Sequence, residues 1–224
     1  MPTDLAIKTV PPVQSGPRSK GERTRDRILD LAYEAVIRKG FAATSIEELV
    51  EAAGITKSGF FYHFRDKSDL ARQLLERHQA SNEIFLDALA ERARELSDDP
   101  LHSFLVFLKL YAEDMRDHLT NMPGCFIAAV TSQDQSFDRD VVQMNAAGIL
   151  AWRTRFLEWM EAIAAAYPPR REVDLTAMAD AVLTLSSGGV TFSKALRDPD
   201  CIARQVLLYR ESVRLIFAGP DSNA

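Results

Sequence analysis

The sequence predicts an all-α chain: an amino-terminal three-helix unit followed by a larger helical body. Three observations predict it. Apolar residues recur at helical spacing in almost every segment, two-residue alternation is nowhere convincing, and the breaks fall on glycine or proline. The 224 residues, 46% hydrophobic and 26% charged, suit one large globular domain or two modest ones.

Residues 1–19 carry prolines, Ser15 and Gly16 and read as a disordered arm. They lack the basic start and apolar run of a secretory signal. In "RDRILDLAYEAVIRKG", Ile28, Leu31, Ala32 and Ala35 share one helix face, and Gly40 is the expected stop. In "TSIEELVEAAG", Ile46, Leu49, Val50 and Ala53 repeat the spacing up to Gly54. The cap of this second helix is Thr44 or Ser45, since Thr44-x-x-Glu47 and Ser45-x-x-Glu48 both fit a capping box. Thr56 caps a third short helix ending near Phe64. Two short helices joined by about three residues containing glycine form a helix-turn-helix signature. Longer helices are expected over residues 66–96, 99–119, 125–134, 137–167, 174–195 and 199–218, separated by "DDP", "NMPG", "YPPRRE" and "RDPD". The expected organisation is an arm over 1–19, a helix-turn-helix head over 20–66, a helical body over 67–218 and a tail over 219–224.

Charge is uneven. Residues 1–72 hold 12 Lys and Arg against 10 Asp and Glu, and the remainder 15 against 22. A mildly basic head on an acidic body suits a polyanion-binding module joined to something else, though a solvated charge run reads equally well. Two distant cysteines, Cys125 and Cys201, make no disulfide framework, and a reducing cytoplasm fits. No stretch approaches a run of about 18 apolar residues, so no membrane partner is expected. There is no GxSxG, GxGxxG, P-loop or HExxH. His63, His78, His102 and His118 make no metal-binding spacing. No catalytic set, metal or cofactor is predicted.

The stretch "ITKSGFFYHFRDKSDL" carries the functional signal. On a helix, Phe60 and Phe64 share one face, while Ser58 and Tyr62 fall opposite with Gly59 beside them. The rings of Phe60 and Phe64 should pack inward. The outer face should meet a major groove, Gly59 allowing close approach and the hydroxyls reaching base edges or phosphates. Lys57 at the helix start, His63 and Lys67 complete a cationic rim. The plain alternative is an aromatic-rich core helix.

"TSIEELVEAAGITKSGFFYHFRDKSDL" resembles the DNA-binding segment of TetR-family transcriptional regulators. Gly40-Phe41, Thr44, Ile46, Ala53-Gly54-Ile55-Thr56, His63-Phe64, Lys67 and Leu70 carry the resemblance. It implies a three-helix DNA head on an all-α ligand-binding and dimerisation body. It implies phosphate contacts at Thr44, Lys57, His63 and Lys67, with Ser45 alongside at the cap. It implies base reading at Ser58, Gly59 and Tyr62. One position departs. The family has Tyr three residues before the Phe of its His-Phe pair, where this chain has Phe61. Either Tyr62 substitutes for the missing hydroxyl or Phe61 touches a thymine methyl; both stay open.

In the body, Phe104, Phe107, Leu108, Tyr111 and Met115 recur at helical spacing, and Trp152, Phe156, Trp159 and Met160 form a second stripe. If the body encloses an apolar cavity, these residues line it, with His118, Thr131 and Gln133 as candidates to orient a ligand. Ordinary core is the plain reading. Cys125, after Pro123 at a helix start, is either an effector-contacting thiol or a small buried hydrophobe. The last two helices are the expected dimer face. One offers Leu175, Met178, Val182, Leu185, Gly189 and Phe192; the other a seam of Ile202, Val206, Tyr209, Val213 and Ile216. The resulting expectation is a cytoplasmic homodimer that binds operator DNA and answers to a small-molecule effector. Its rivals are a thiol sensor acting through Cys125, and a helical carrier or enzyme with an idle helix-turn-helix.

Overall fold

The computed structural model describes residues 19–119 and 124–218, without the side chains of His118, Leu119 and Asp134. The expected arm before Ser19 and the tail over 219–224 lie outside the described residues. Among these, the chain forms nine α-helices and one 3-10 turn and no strand. They are α1 (Lys20–Lys39), α2 (Ile46–Ala53), α3 (Lys57–His63), α4 (Lys67–Leu96), α5 (Pro100–Leu119), α6 (Phe126–Thr131), α7 (Arg139–Ala166), α8 (Leu175–Leu196) and α9 (Cys201–Phe217). The helix expected over 125–134 is shorter, ending at Thr131 before a 3-10 turn at Asp134–Ser136.

Caps explain where the first helices begin. Ser19 and Glu22 form a reciprocal capping box at α1, Ser19 Oγ accepting from Glu22 N–H and Glu22 accepting from Ser19 N–H. Ser45, not Thr44, caps α2, its hydroxyl accepting from Glu48 N–H at 3.2 Å. The reciprocal arm does not form there, because the Glu48 carboxylate pairs with Lys39. Asp66 and Asp69 begin α4, accepting from Asp69 N–H at 2.7 Å and Arg65 N–H at 3.0 Å.

The chain divides into two compact units, and not at residue 66 as expected. One comprises Met1–Glu83 with Pro123–Ala147, the other Ile84–Met122 with Gly148–Ala224. The reason is packing. The core of the first unit joins Ile28, Leu29 and Val36 of α1 and Phe60 and Phe64 of the helix-turn-helix to Leu70, Leu74 and Leu75 of α4. Phe126 and Val130 of α6 and Val141 of α7 close the same core. The first turns of α4 are therefore a wall of the head rather than the start of the body.

At the junction of α1, α4 and α6 in the first unit, Tyr33 stacks on Phe126 at 4.9 Å between ring centres, and His78 lies 5.0 Å from the same ring. His78 keeps some accessible surface, but both ring nitrogens turn inward: Nδ1 lies 3.3 Å from Tyr33 Oη and Nε2 3.1 Å from Asn82 Nδ2. Burial lowers the His78 pKa from 6.5 to about 4 and raises that of Tyr33.

In the second unit, α9 packs against both α5 and α8. The α8–α9 contact depends on Gly189. A Cβ there would lie 2.7 Å from Ile202 Cγ1 and 3.1 Å from the α9 backbone at Ile202 Cα. The Tyr209 hydroxyl donates to Met178 C=O at 2.6 Å, and Arg210 Nε donates to Leu105 C=O at 3.0 Å, tying α9 to both neighbours. Asp99 caps α5, accepting from His102 N–H at 2.8 Å and from the Tyr167 hydroxyl at 2.6 Å. By length and composition alone α8 could cross a membrane, with a mean hydropathy of 1.2 over its most apolar window. One of its faces is taken up by α9.

The neutral His78 ring is favoured by the fold and the charged ring by the unfolded chain. Its contribution to stability is complete above pH 6.5 and is lost as pH falls towards about 4. Urea unfolding should therefore show stability dropping between neutral pH and pH ~5, by at most about 1.4 kcal/mol per pH unit from this group. His78→Gln should remove that part of the slope.

Candidate nucleic-acid interface

The turn before α3 is set by Gly54, whose φ of 66° and ψ of 38° are left-handed and unfavourable for a residue with a Cβ. Thr56 then starts the helix, its hydroxyl accepting from Gly59 N–H at 3.1 Å. Phe60 and Phe64 are 0% exposed and lie 5.3 Å apart between ring centres. That fixes the rotation of α3. Tyr62 is 83% and Phe61 45% exposed, and Lys57 and Ser58 are exposed as well. The face expected to look outward does so.

Ser58 Oγ lies 3.0 Å from the capping hydroxyl of Thr56, which leaves it a second hydrogen bond to give or take. A Cβ on Gly59 would meet Thr56 Oγ1 at 3.4 Å and Ile55 Cβ at 3.6 Å, close but not prohibitive contacts. The head itself thus tolerates a small side chain here, and a thin surface serves whatever approaches from outside.

The cations around this face are held by their neighbours. Lys57 Nζ lies 2.7 Å from Glu47 in a pair exposed on both sides. The Lys57 hydrogen bond, ahead of its charge, holds the Glu47 carboxyl below its ordinary range. Solvent screens a pair exposed on both sides, so a phosphate can exchange for Glu47 at small cost. Lys67 Nζ sits 4.5 Å from the centre of the Phe41 ring and 3.4 Å from Ala42 C=O. Burial, and secondarily Lys39, lowers its pKa. Burial, then the Arg25 charge, lowers the pKa of His63. Ser45 is exposed at its cap.

Thr44 is corrected. It is buried, 1% exposed, and its hydroxyl donates to Gly40 C=O at 2.9 Å. It shapes the turn between α1 and α2 and presents no hydroxyl to the surface. The start of α1, part of the basic stretch Arg18–Arg27 but not expected among the site residues, also adjoins His63. A Cβ on Gly21 would lie 3.9 Å from Cε1 of the His63 ring, and the Arg25 charge acts on that same ring. The visible signal was Ser19-x-x-Glu22, a capping box that places this helix end.

In the second unit the expected pocket residues do come together, as packed core. Phe104, Phe107, Leu108 and Phe156 are fully buried, with Tyr111 and Met115 nearly so. Trp159 lies edge-on to Phe104 at 4.9 Å and tilted to Phe107 at 5.1 Å, and Trp152 lies 5.7 Å from Phe156. The Tyr111 hydroxyl donates to Ser186 Oγ at 2.8 Å. The side chain of His118 is outside the described residues. Cys125 belongs to the first unit, half-buried at the start of α6, and Thr131 and Gln133 belong there too. Thr131 is bonded to Ile127 C=O and Asn145, and Gln133 accepts from Ala42 N–H. An open groove of about 380 Å³ lies between Lys109, Glu113 and Arg116 of α5 and Leu207 and Arg210 of α9, and no predicted pocket residue lines it.

The predicted dimer seam is also corrected. Ile202, Val206 and Val213 are buried within the subunit, as are Met178, Val182 and Gly189 of α8. Tyr209 and Ile216 are half-buried, as are Leu175 and Leu185. These residues form the α5–α8–α9 packing of one chain. The exposed large apolar residues of α8 and α9 are Phe192 at 61%, Leu196 at 64%, Leu207 at 41%, Leu208 at 63% and Leu215 at 45%. Of the predicted face, Phe192 alone is exposed.

Comparison with known proteins agrees with the geometry of the head. Residues 28–74 match the family model of bacterial regulatory proteins, tetR family. The HTH-type transcriptional regulator AcrR of Shigella flexneri is 37% identical over 59 residues, 26% of this chain and 27% of that protein. The HTH-type transcriptional regulator TtgR of Pseudomonas putida is 33% identical over 86 residues, 38% of this chain and 39% of that protein. The chain thus spans less than half the length of these relatives. Solved structures share the fold much further. A TetR-family regulator of Agrobacterium tumefaciens, 21% identical, is covered over 100% of its chain and 89% of this one with a TM-score of 0.72. Reduced NemR of Escherichia coli, 18% identical, is covered over 100% of its chain and 88% of this one with a TM-score of 0.65. Residues 28–74 thus carry a helix-turn-helix that matches the tetR family of bacterial regulatory proteins, within a chain whose all-helical fold is shared with solved TetR-family regulators.

Proposed function

We propose that the chain is an effector-responsive repressor that binds a near-palindromic operator as a homodimer and is released by a small apolar or aromatic ligand. One observation carries the DNA-binding part: α3 buries Phe60 and Phe64 completely while Tyr62 and Ser58 stand in solvent. A helix in the major groove needs that division, with hydroxyls for base edges or phosphates and cations at the margin. Repression is supported by relatives whose names carry it, such as the repressors BepR of Brucella suis and NemR of Escherichia coli.

The partner that we assign to the exposed apolar face is a second copy of the chain. Phe192 and Leu196 stand four residues apart on α8, and Leu208 and Leu215 seven apart on α9, so each pair shares one helix face. Small residues Ala177, Ala181 and Gly188 lie on the same side of α8, and a Cβ on Gly188 would meet nothing within 4 Å. Two helices from each chain, related by a twofold axis, form a four-helix bundle that covers these faces. Two heads then reach major grooves about 34–36 Å apart. The Phe104–Phe107–Trp159 cluster is the apolar environment offered to a ligand. A ligand that prefers one state of the body shifts the operator-competent population by that preference and no more.

Tyr62→Ala should weaken operator binding at least tenfold in a gel shift while sedimentation shows an unchanged dimer. Retained binding at full affinity would contradict the docking. Binding by the unaltered chain should discriminate operator from random duplex as salt rises; equal loss on both would indicate charge alone. Leu208→Glu with Leu215→Glu should yield a helical monomer by sedimentation, and an intact dimer would remove this face as the interface.

A further inference from the structure

We infer that Phe61 reads sequence, its ring packing on the 5-methyl group of a thymine in each operator half-site. This rests on the docking of α3 proposed above. Phe61 is 45% exposed although it is a phenylalanine in a head whose other phenylalanines on α3 and at its cap are fully buried. It has no inward place to go. Phe60 and Phe64 already fill the core beneath α3, and Phe61 stands edge-on to Phe60 at 5.5 Å with an interplanar angle of 90°. That contact holds the ring outward in one orientation.

The position of the ring completes the argument. Phe61 follows Lys57 by four residues and Ser58 by three, so it shares their strip of α3, between a cation suited to phosphate and a hydroxyl suited to a base edge. Side chains on a helix lean towards its amino terminus, which places the Phe61 ring over the turn bearing those two residues. A phenyl ring neither donates nor accepts. Against a purine edge or a cytosine amino group it would displace water and return nothing. In the major groove, thymine alone presents an apolar group, its 5-methyl. Tyr62, one step further round and 83% exposed, keeps its hydroxyl for a polar contact.

The test uses the full chain and an operator recovered from random duplexes. Each thymine is replaced singly by uracil, which removes the methyl group and leaves base pairing intact. At one thymine per half-site the wild-type chain should lose about fourfold in affinity, the value of one buried methyl. Phe61→Ala should bind the thymine and uracil operators equally, whereas Phe61→Leu, which keeps an apolar tip, should still discriminate. Unfolding midpoints near wild type would show that both variants fold. The proposal is overturned if every uracil operator binds the wild type as tightly as its parent. It is equally overturned if Phe61→Ala keeps the discrimination, which would place the methyl against another residue. A uniform loss by Phe61→Ala without any uracil effect would overturn it in favour of deoxyribose contact. Recovery of no operator at all would instead overturn the docking and this inference with it.

Discussion

The burial of Phe60 and Phe64 under α3 is the interaction on which the rest depends. A helix of seven residues is too short to form by itself in water. Its two rings, each fully removed from solvent, supply about 1.5–3 kcal/mol apiece and tie it to α1, α2 and α4. Rings four residues apart occupy one face, so their burial fixes the rotation of the helix and dictates what the opposite face presents. The outward display of Ser58, Phe61 and Tyr62 follows from this packing and needs no separate device. The Gly54 turn and the Thr56 cap set where the helix begins; the two rings set which way it looks.

The cationic margin is more contingent. Lys57 is paired with Glu47 and Lys67 leans on Phe41, so neither charge floats free. Exposed ion pairs are cheap to exchange, and this arrangement keeps the side chains in place without committing them. His63 has its charge disfavoured by burial and by Arg25, and a phosphate placed beside it would act in the opposite direction.

Much of this was legible in the sequence because helical periodicity reports burial directly. Nine helices, the inward and outward faces of α3 and the glycine turn all follow from spacing. What periodicity does not report is which surface does the burying. Ile202, Val206 and Val213 look like a dimer seam, and they are a seam, but α5 and α8 of the same chain fill it. The face left open includes Leu208 and Leu215 on α9, which sit in no comparable run of β-branched residues. Thr44 failed for a related reason: a hydroxyl in a turn can serve the backbone next to it, here Gly40 C=O, as readily as a ligand. The boundary at residue 66 missed because a long helix was assigned whole to the body, although Leu70, Leu74 and Leu75 complete the core of the head. Gln133, which reaches back to Ala42 N–H from 91 residues away, left no local trace.

The most direct measurement is hydroxyl-radical footprinting of the protein side chains, with and without operator duplex. The account predicts fast oxidation of Tyr62 and Phe61 in the free chain, strong protection of both on the operator, and no reaction at Phe60 or Phe64 in either state. Oxidation of Phe60 or Phe64 in the folded chain, or a Tyr62 that reacts equally fast on DNA, would contradict it.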